Sequence, residues 1–515
     1  MSMASQSGRV SKRNSVRRAI LWTTLAVLAC LSVFIANGKP LFYFDTVGYV
    51  AQGHSALRQL GFPAESPLAA RHKLLIAQGQ EGTKGSSPGM AQIAAENTVD
   101  GSRSAVYALM SGLFVRLGAL EGLIAINVLM VLISVWLPMR IAARRWGLPG
   151  PVSRAVALPI IVASFGSLPF FVAFLMPDTF APVLLLVIAT LAVFARHMKV
   201  WEIILALAIG SMAISAHLSH LAIAALMVPA AALISVILAR RRWWLAPALV
   251  AAIVGFGFTE QSILRSAAKA VSDSVVVIKP YITARLIQDG PGLRYLDSHC
   301  PDAGIATCKL HAALQLSDDP YRITATHIVF ETSKRLGSFR LMTPEDQKAV
   351  ADNQIGFFFD VLMDAPIDTA MAFLKNTFIQ SGWVSVEMTL PTAKVISQNA
   401  GVAGLLTGEF DNGRITENTS WLAIVTPAQQ VFYVLSLLVV AALVLWPGRV
   451  PGEVKALAVM LLLGILANAL VCGGISQPAT RYGARVIWLL PLAATILAIF
   501  AARARQFATS SDELG

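Results

Sequence analysis

The sequence predicts an all-α polytopic membrane protein of about ten transmembrane helices, with a mixed or mainly helical domain held on the non-cytoplasmic side. Three observations predict it. Hydrophobic residues make up 56% of the chain and charged residues only 14%, where a soluble domain carries roughly 25%. Ten apolar runs are each long enough to cross a ~30 Å hydrocarbon core. Basic residues concentrate in alternate connectors between those runs, as the positive-inside rule requires.

The first run, 20–36, follows a basic stretch containing Lys12, Arg13, Arg17 and Arg18. A secretory signal is the competing reading, and Val27-Leu28-Ala29-Cys30 resembles part of a lipoprotein cleavage box. Apolar residues continue past the cysteine to Ala36, however, and no good small-x-small site follows. The run is therefore read as a span with its amino end inside.

The remaining runs are 120–139, 152–174, 179–195, 201–216, 221–239, 243–258, 421–446, 454–472 and 486–502. Arg140, Arg144 and Arg145, then Arg196 and Lys199, Arg240 to Arg242, Arg449 and Lys455, and Arg503 and Arg505 occupy every second connector. That assignment makes both termini cytoplasmic. The expected organisation is a basic tail at 1–19 and an N-terminal bundle at 20–258 with a first outside loop at 38–119. An outside domain at 259–418, C-terminal spans at 419–502 and a tail at 503–515 follow.

Within the first loop, 79–90 is rich in turn residues and 105–117 is apolar again, suiting an interfacial or re-entrant helix. In the outside domain, Asp289-Gly290-Pro291-Gly292 and Ser317-Asp318-Asp319-Pro320 are turn signals. Its stretch 355–378 is amphipathic and rich in Phe and Met, which suits a helix along the membrane surface or against the bundle; an ordinary domain-core helix is the alternative. No internal repeat marks the inverted halves of a secondary transporter.

Four cysteines are present, and no zinc spacing links them. Cys30 and Cys472 lie in or beside apolar runs, while Cys300 and Cys308 lie in the outside domain, where a disulfide between them is permitted. Two free thiols are the alternative. The net charge of +12 does not point to nucleic acid, because the basic residues form short clusters between apolar runs instead of a patch interleaved with aromatics.

Candidate chemistry begins in Pro40-Leu41-Phe42-Tyr43-Phe44-Asp45-Thr46-Val47-Gly48-Tyr49, just outside the first span. A carboxylate there can accept a proton from an attacking hydroxyl, and enclosure by the neighbouring aromatics would make it a better base. A helix N-cap is the plainer reading of Asp45. Arg481 and Arg485 lie four residues apart at the outer entrance of the last span, with Tyr482 beside them. On a helix they share a face and suit a phosphate or diphosphate; snorkelling interfacial arginines are the alternative.

His217 and His220 share a helical face and suit substrate binding, proton transfer or, with Asp178, a metal; polar anchoring at the interface competes with these. Asp178 itself reads first as an N-cap. Arg285 and Asp289 read as an intrahelical ion pair, against an Arg285 aimed into a cavity between domain and bundle. The chain contains no GxxxxGK[ST] or HExxH pattern. Acids and lysines are nearly absent from mid-span, against an ion-coupled transporter.

Asp45-Thr46-Val47-Gly48-Tyr49, the Ser102-Arg103-Ser104-Ala105-Val106-Tyr107 stretch and Gln477-Pro478-Ala479-Thr480-Arg481-Tyr482, in this layout of spans, resemble the GT-C superfamily of polytopic glycosyltransferases. Bacterial members that use lipid-phosphate-linked sugars are the nearest comparison. The resemblance implies Asp45 as catalytic base or metal-associated carboxylate; Arg103, Arg481 and Tyr482 lie in the similar stretches and, with His217, His220 and Arg485 read from their own chemistry, are the expected substrate-binding residues. It also implies membrane lipid and a polyprenyl-phosphate-linked sugar as partners, a glycan, lipid or protein as acceptor, and residence in a bacterial inner membrane. Many members carry an acidic pair in the first loop, whereas here Asp45 is followed by Thr46 and Val47, and no DxD motif occurs. No cofactor is therefore expected, and a divalent metal lacks support. Two other functions compete: a non-catalytic carrier or assembly component for envelope polysaccharide or lipid, and a lipid-dependent acyl or phosphoryl transferase built on His217 and His220.

Overall fold

The computed structural model describes residues 3–64, 98–101, 103–148, 150–239, 241–272, 275–331, 336–399 and 411–512. The turn-rich stretch 79–90 and Ser102 lie outside the described residues. Helices dominate. In the N-terminal half they are α1 (Met3–Cys30), α2 (Ser32–Asn37), α3 (Phe44–Gln59), α4 (Ala105–Arg116), α5 (Gly122–Trp146), α6 (Val152–Ala163), α7 (Leu168–Val172), α8 (Phe180–Phe194), α9 (Val200–Ser215), α10 (Leu218–Ala239) and α11 (Leu245–Ser272). A domain follows with α12 (Tyr281–Asp289), α13 (Pro291–His299), α14 (Thr307–Leu314), α15 (Ala325–Phe330), α16 (Pro344–Asp364), α17 (Pro366–Gly382) and α18 (Ala393–Asn399). The chain then returns to the bundle as α19 (Leu422–Leu445), α20 (Gly452–Ala469), α21 (Thr480–Ile487) and α22 (Leu489–Asp512).

Among the described residues, seven helical stretches have the length and hydropathy to cross a membrane: Gly122–Trp146, Pro177–His197, Leu218–Leu238, Leu245–Leu264, Leu422–Leu445, Gly452–Ile475 and Thr480–Ala504. Shorter apolar helices, α6 and α9, and the α1–α2 pair account for the other three runs. The protein is a multi-pass, all-helical membrane protein.

Two expected elements differ. The run 152–174 is not one span: α6 ends at Ala163 and α7 begins at Leu168. Ser164 turns its hydroxyl back onto the Ile160 carbonyl at 2.8 Å, Gly166 passes close to Tyr433, and Pro169 has no N–H with which to continue the ladder. Second, α11 runs to Ser272, well past the apolar stretch that ends at Phe258, because its polar continuation is helical too.

The two ends of the bundle are held by different charges. At the end carrying the arginine-rich connectors, Glu202 is buried at the start of α9 and accepts hydrogen bonds from Arg144 at 2.6 and 2.9 Å and from Arg140 at 3.4 Å. Glu453, at the start of α20, pairs with Arg196 at 3.1 Å and Arg145 at 3.7 Å. The positive connectors of α5, α8 and α20 thus meet in space as well as in parity.

At the other end, the chain after α2 is pinned to the segment after α7 by paired backbone hydrogen bonds, Leu41 N–H to Ala173 O at 2.9 Å and Leu175 N–H to Leu41 O at 2.8 Å. Helices α3 and α4 cross in contact there. A Cβ on Gly53 would fall 1.7 Å from the Ala108 carbonyl oxygen, and one on Gly112 2.5 Å from the Gly53 carbonyl carbon. Only glycine permits that approach, so Gly53→Leu is expected to separate the helices and cut the yield of detergent-stable protein at least several-fold. Wild-type melting behaviour of this variant would show that the crossing is dispensable.

The domain between α11 and α19 has its own core of Val277, Leu286, Ile287, Leu296, Leu310, Ile328, Phe339, Val350, Phe357 and Val361. A short parallel pair, β1 (Thr98–Asp100) and β2 (Val275–Val277), ties its start to the segment before α4. Cys300 and Cys308 are joined in a disulfide, their Cα atoms 5.5 Å apart. Arg285 pairs with Asp289 within α12, and both reach Asn376 of α17, at 3.1 and 2.7 Å. The intrahelical pair is what forms; Arg285 is engaged between α12 and α17.

Candidate functional site

Asp45 lies in the first turn of α3, not at its N-cap, which is Tyr43. The Tyr43 N–H donates to the Thr46 hydroxyl at 3.0 Å, and that hydroxyl donates to the Leu175 carbonyl at 3.3 Å. These contacts fix the helix start to the segment that leads into Asp178. A carboxylate in a first turn is also favoured by the positive end of the helix dipole.

The aromatic enclosure expected around Asp45 is not what surrounds it. Its side chain is 37% exposed and accepts a hydrogen bond from Arg103 Nη2 at 2.9 Å. Arg103 enters over α3 because Gly48 leaves room: a Cβ there would lie 2.8 Å from the guanidinium carbon. The pair joins α3 to the residues that cap α4, where the Ser104 hydroxyl accepts from the Tyr107 N–H at 3.0 Å and bonds the Ser215 carbonyl at the end of α9.

Behind this pair lies a buried ionic cluster. Asp178, in a tight turn at Pro177–Thr179 before α8, is 3% exposed, and its Oδ1 is 3.5 Å from both Arg481 Nε and Arg485 Nη1. Asp178 is therefore more than an N-cap, and the two arginines do not snorkel outward. Helix α21 places them one turn apart on one face, as their spacing predicts.

Their roles differ. Arg485 is wholly buried and engaged, donating to Asn468 Oδ1 at 2.9 and 3.1 Å, to Ser219 Oγ at 3.3 Å and to Cys472 Sγ at 3.1 Å. These contacts hold it as a fixed charge in the wall of the cluster. Arg481 lies between two rings, its guanidinium 4.7 Å from the centroid of Tyr43 and 5.1 Å from that of Tyr482. Its Nη1 is buried and makes no hydrogen bond. Burial pushes the Tyr43 phenol above its usual range, so the ring stands as a neutral π face toward Arg481.

His217 and His220 are not in an open connection. Their rings lie 5.5 Å apart; His220 is fully buried and bonds the Ala213 carbonyl at 2.7 Å, while His217 contacts the Ser219 hydroxyl at 2.8 Å. Ser219 in turn meets Arg485. His217 therefore reaches Arg485 through Ser219. Among the described residues, no three His, Cys, Asp or Glu side chains converge in a way that could hold a metal ion.

The structure thus gathers Asp45, Arg103, Asp178, Arg481 and Tyr482 at one end of the bundle, with Arg485, His217 and His220 packed beneath. Sequence reasoning missed Tyr43 and Asn468 and understated Asp178. An Asn inside an apolar run was the available signal for Asn468, because an amide in a span needs a partner. Just after it, Leu470–Ile475 forms a π-helical turn, a feature frequent at functional sites.

No family model matches the chain, and no curated protein matches it. Among solved structures, the chain is similar to ArnT from Cupriavidus metallidurans bound to undecaprenyl phosphate, at 12% identity and TM-score 0.30, covering 94% of this chain and 77% of that one. The apo state of the same protein aligns at 13% identity and TM-score 0.30, covering 95% and 78%. At that TM-score the likeness carries no argument, and the reading of the site rests on its own geometry.

Formally, two guanidinium groups face one carboxylate in the buried cluster, while Asp45 and Arg103 neutralise each other. Among the described residues the buried cluster of Asp178, Arg481 and Arg485 then carries one net positive charge. An anion is what such a site takes, and the planar, unbonded edge of Arg481 is the group placed to receive it.

Proposed function

We propose that this protein transfers a sugar from a polyprenyl-phosphate donor to an acceptor on the non-cytoplasmic face of a bacterial inner membrane, with both termini in the cytoplasm. The observation that carries the reading is the net positive charge of the buried Asp178, Arg481 and Arg485 cluster, in which Arg481 Nη1 makes no hydrogen bond, placed beside a carboxylate that water can reach. In this reading Asp45 takes the proton from the acceptor hydroxyl as its oxygen bonds to the anomeric carbon. The bond from that carbon to the phosphate oxygen breaks, and the leaving lipid phosphate gains negative charge. Arg481 stabilises that charge, and Asp178 with Arg485 holds Arg481 in place. Arg103 orients Asp45 and leaves its second oxygen for the acceptor. The domain between α11 and α19 selects the acceptor, a glycan, lipid or protein.

The resemblance of the first-loop and last-span stretches to the GT-C superfamily supports the same reading. A carrier or assembly component would have no need to bring Asp45, Asp178 and Arg481 together from three distant segments. Lipid extracts of a deletion strain test the proposal: a polyprenyl-phosphate sugar is expected to accumulate, with loss of that sugar from an envelope glycan. An unchanged lipid pool and an unchanged glycan would overturn it.

A further inference from the structure

Helix α17 is amphipathic in the wrong sense for a domain in water. Its residues Thr369, Asn376 and Gln380 are 4% exposed or less, whereas Ile367, Met371, Leu374 and Phe378 are between 59% and 80% exposed. At 100° per residue the second set spans one narrow stripe, and the polar set lies on the opposite side. The polar side is the one docked on the protein. Gln380 donates to the Ala479 carbonyl at 3.0 Å and accepts from the Ala479 N–H at 2.9 Å, and Asn376 joins Asp289 at 2.7 Å.

The π turn between α20 and α21 makes this docking possible. A Cβ on Gly473 would lie 2.7 Å from the Asn376 carbonyl oxygen, one on Gly474 2.8 Å from the Phe373 ring, and one on Gly483 2.1 Å from the Trp383 carbonyl oxygen. Helix α17 therefore lies directly against the point where α20 leaves the apolar slab and α21 re-enters it. Helix α16 presents a second stripe of the same kind. Phe357 and Val361 fill the domain core, while Ile355, Phe359 and Met363, on the far side, are exposed.

We infer that the outer faces of α16 and α17 are embedded in the bilayer interface, so that the domain is itself a monotopic membrane element and not only a cap on the spans. The occupant of this surface is lipid. Seven large apolar side chains in two stripes form an outward face flanked by the exposed Asp368 and Lys375, and the outward residues Ile424, Val431 and Leu466 of the membrane-spanning wall are exposed as well. Trp383, half-exposed at the end of α17, suits the headgroup level, where indole rings anchor. The inference needs the membrane-spanning fold and nothing from the proposed reaction.

Spin labels on the full-length protein in phosphatidylethanolamine and phosphatidylglycerol proteoliposomes test it. Met371→Cys and Phe378→Cys report on α17, Leu438→Cys in α19 serves as the lipid reference, and Ala349→Cys in α16 serves as the water reference. Cys30 and Cys472 are buried and Cys300 and Cys308 are bonded, so the unsubstituted protein supplies the background. Labels at 371 and 378 are expected to match Leu438, colliding several-fold more with oxygen than with a water-soluble nickel complex. Accessibility like that at Ala349 would place the stripe in water and overturn the inference. Labels immobile and silent to both reagents would mean a protein surface, such as a second copy, covers it, and would overturn it equally.

Discussion

An Asp45→Asn protein is expected to insert, fold and melt like the wild type while losing roughly 10²- to 10⁴-fold in sugar transfer, the range that a positioned general base supplies. The substitution keeps the shape of the side chain and an oxygen for the 2.9 Å bond from Arg103, so it removes the proton acceptor and little else. Complementation of the deletion strain provides the readout. The Asn variant should leave the lipid-linked sugar accumulated although the protein is present at normal levels in the membrane. Full complementation would remove Asp45 from the mechanism and favour the carrier reading, in which charge at this position does no chemistry.

The largest effect on stability is expected at Asp178. Replacing it with Ala leaves Arg481 and Arg485 buried side by side with no counter-ion, and breaking a buried pair in this way costs about 3–5 kcal/mol. A marked fall in the detergent melting temperature should follow. Because the penalty comes from the stranded charge and not from a lost contact, the double variant Asp178→Ala with Arg485→Met should recover part of it. If the single variant melts normally, or the second change adds to the loss, the cluster is not what holds these segments together.

The spans were legible in the sequence because a helix in lipid must bond its own backbone and needs a long uncharged run to do so, a constraint that leaves a plain mark. The break at 164–168 was less legible, since Gly166 and Pro169 lie within a run whose average hydropathy hides them. The Arg481 and Arg485 pair was legible from its spacing alone, and the disulfide was permitted by the expected outside placement of its segment. The partner of the two arginines was not legible. Asp178 precedes them by about three hundred residues, and nothing in a linear pattern says which helix ends meet. The Asp45 and Arg103 pair escaped for the same reason: each residue was singled out, but their contact depends on the glycine crossing of α3 and α4. For α17 the amphipathic period was legible and suited a helix along the membrane surface or against the bundle, while the docking of its polar side through Asn376 and Gln380 depends on distant segments that no linear pattern names.

The inner charge cluster has a consequence for biogenesis. Arg140, Arg144 and Arg145 end α5, whereas Glu202 opens α9 and Glu453 opens α20. In order of synthesis the arginines emerge before either acid, and in the proposed orientation they meet the insertion machinery as full positive charges that hold their connector back from translocation. The acids that discharge them arrive only with the later helices. The same guanidinium groups thus act twice, as unpaired orientation signals while the chain is being threaded and as rivets between helices once it is packed, Arg144 through two hydrogen bonds to Glu202.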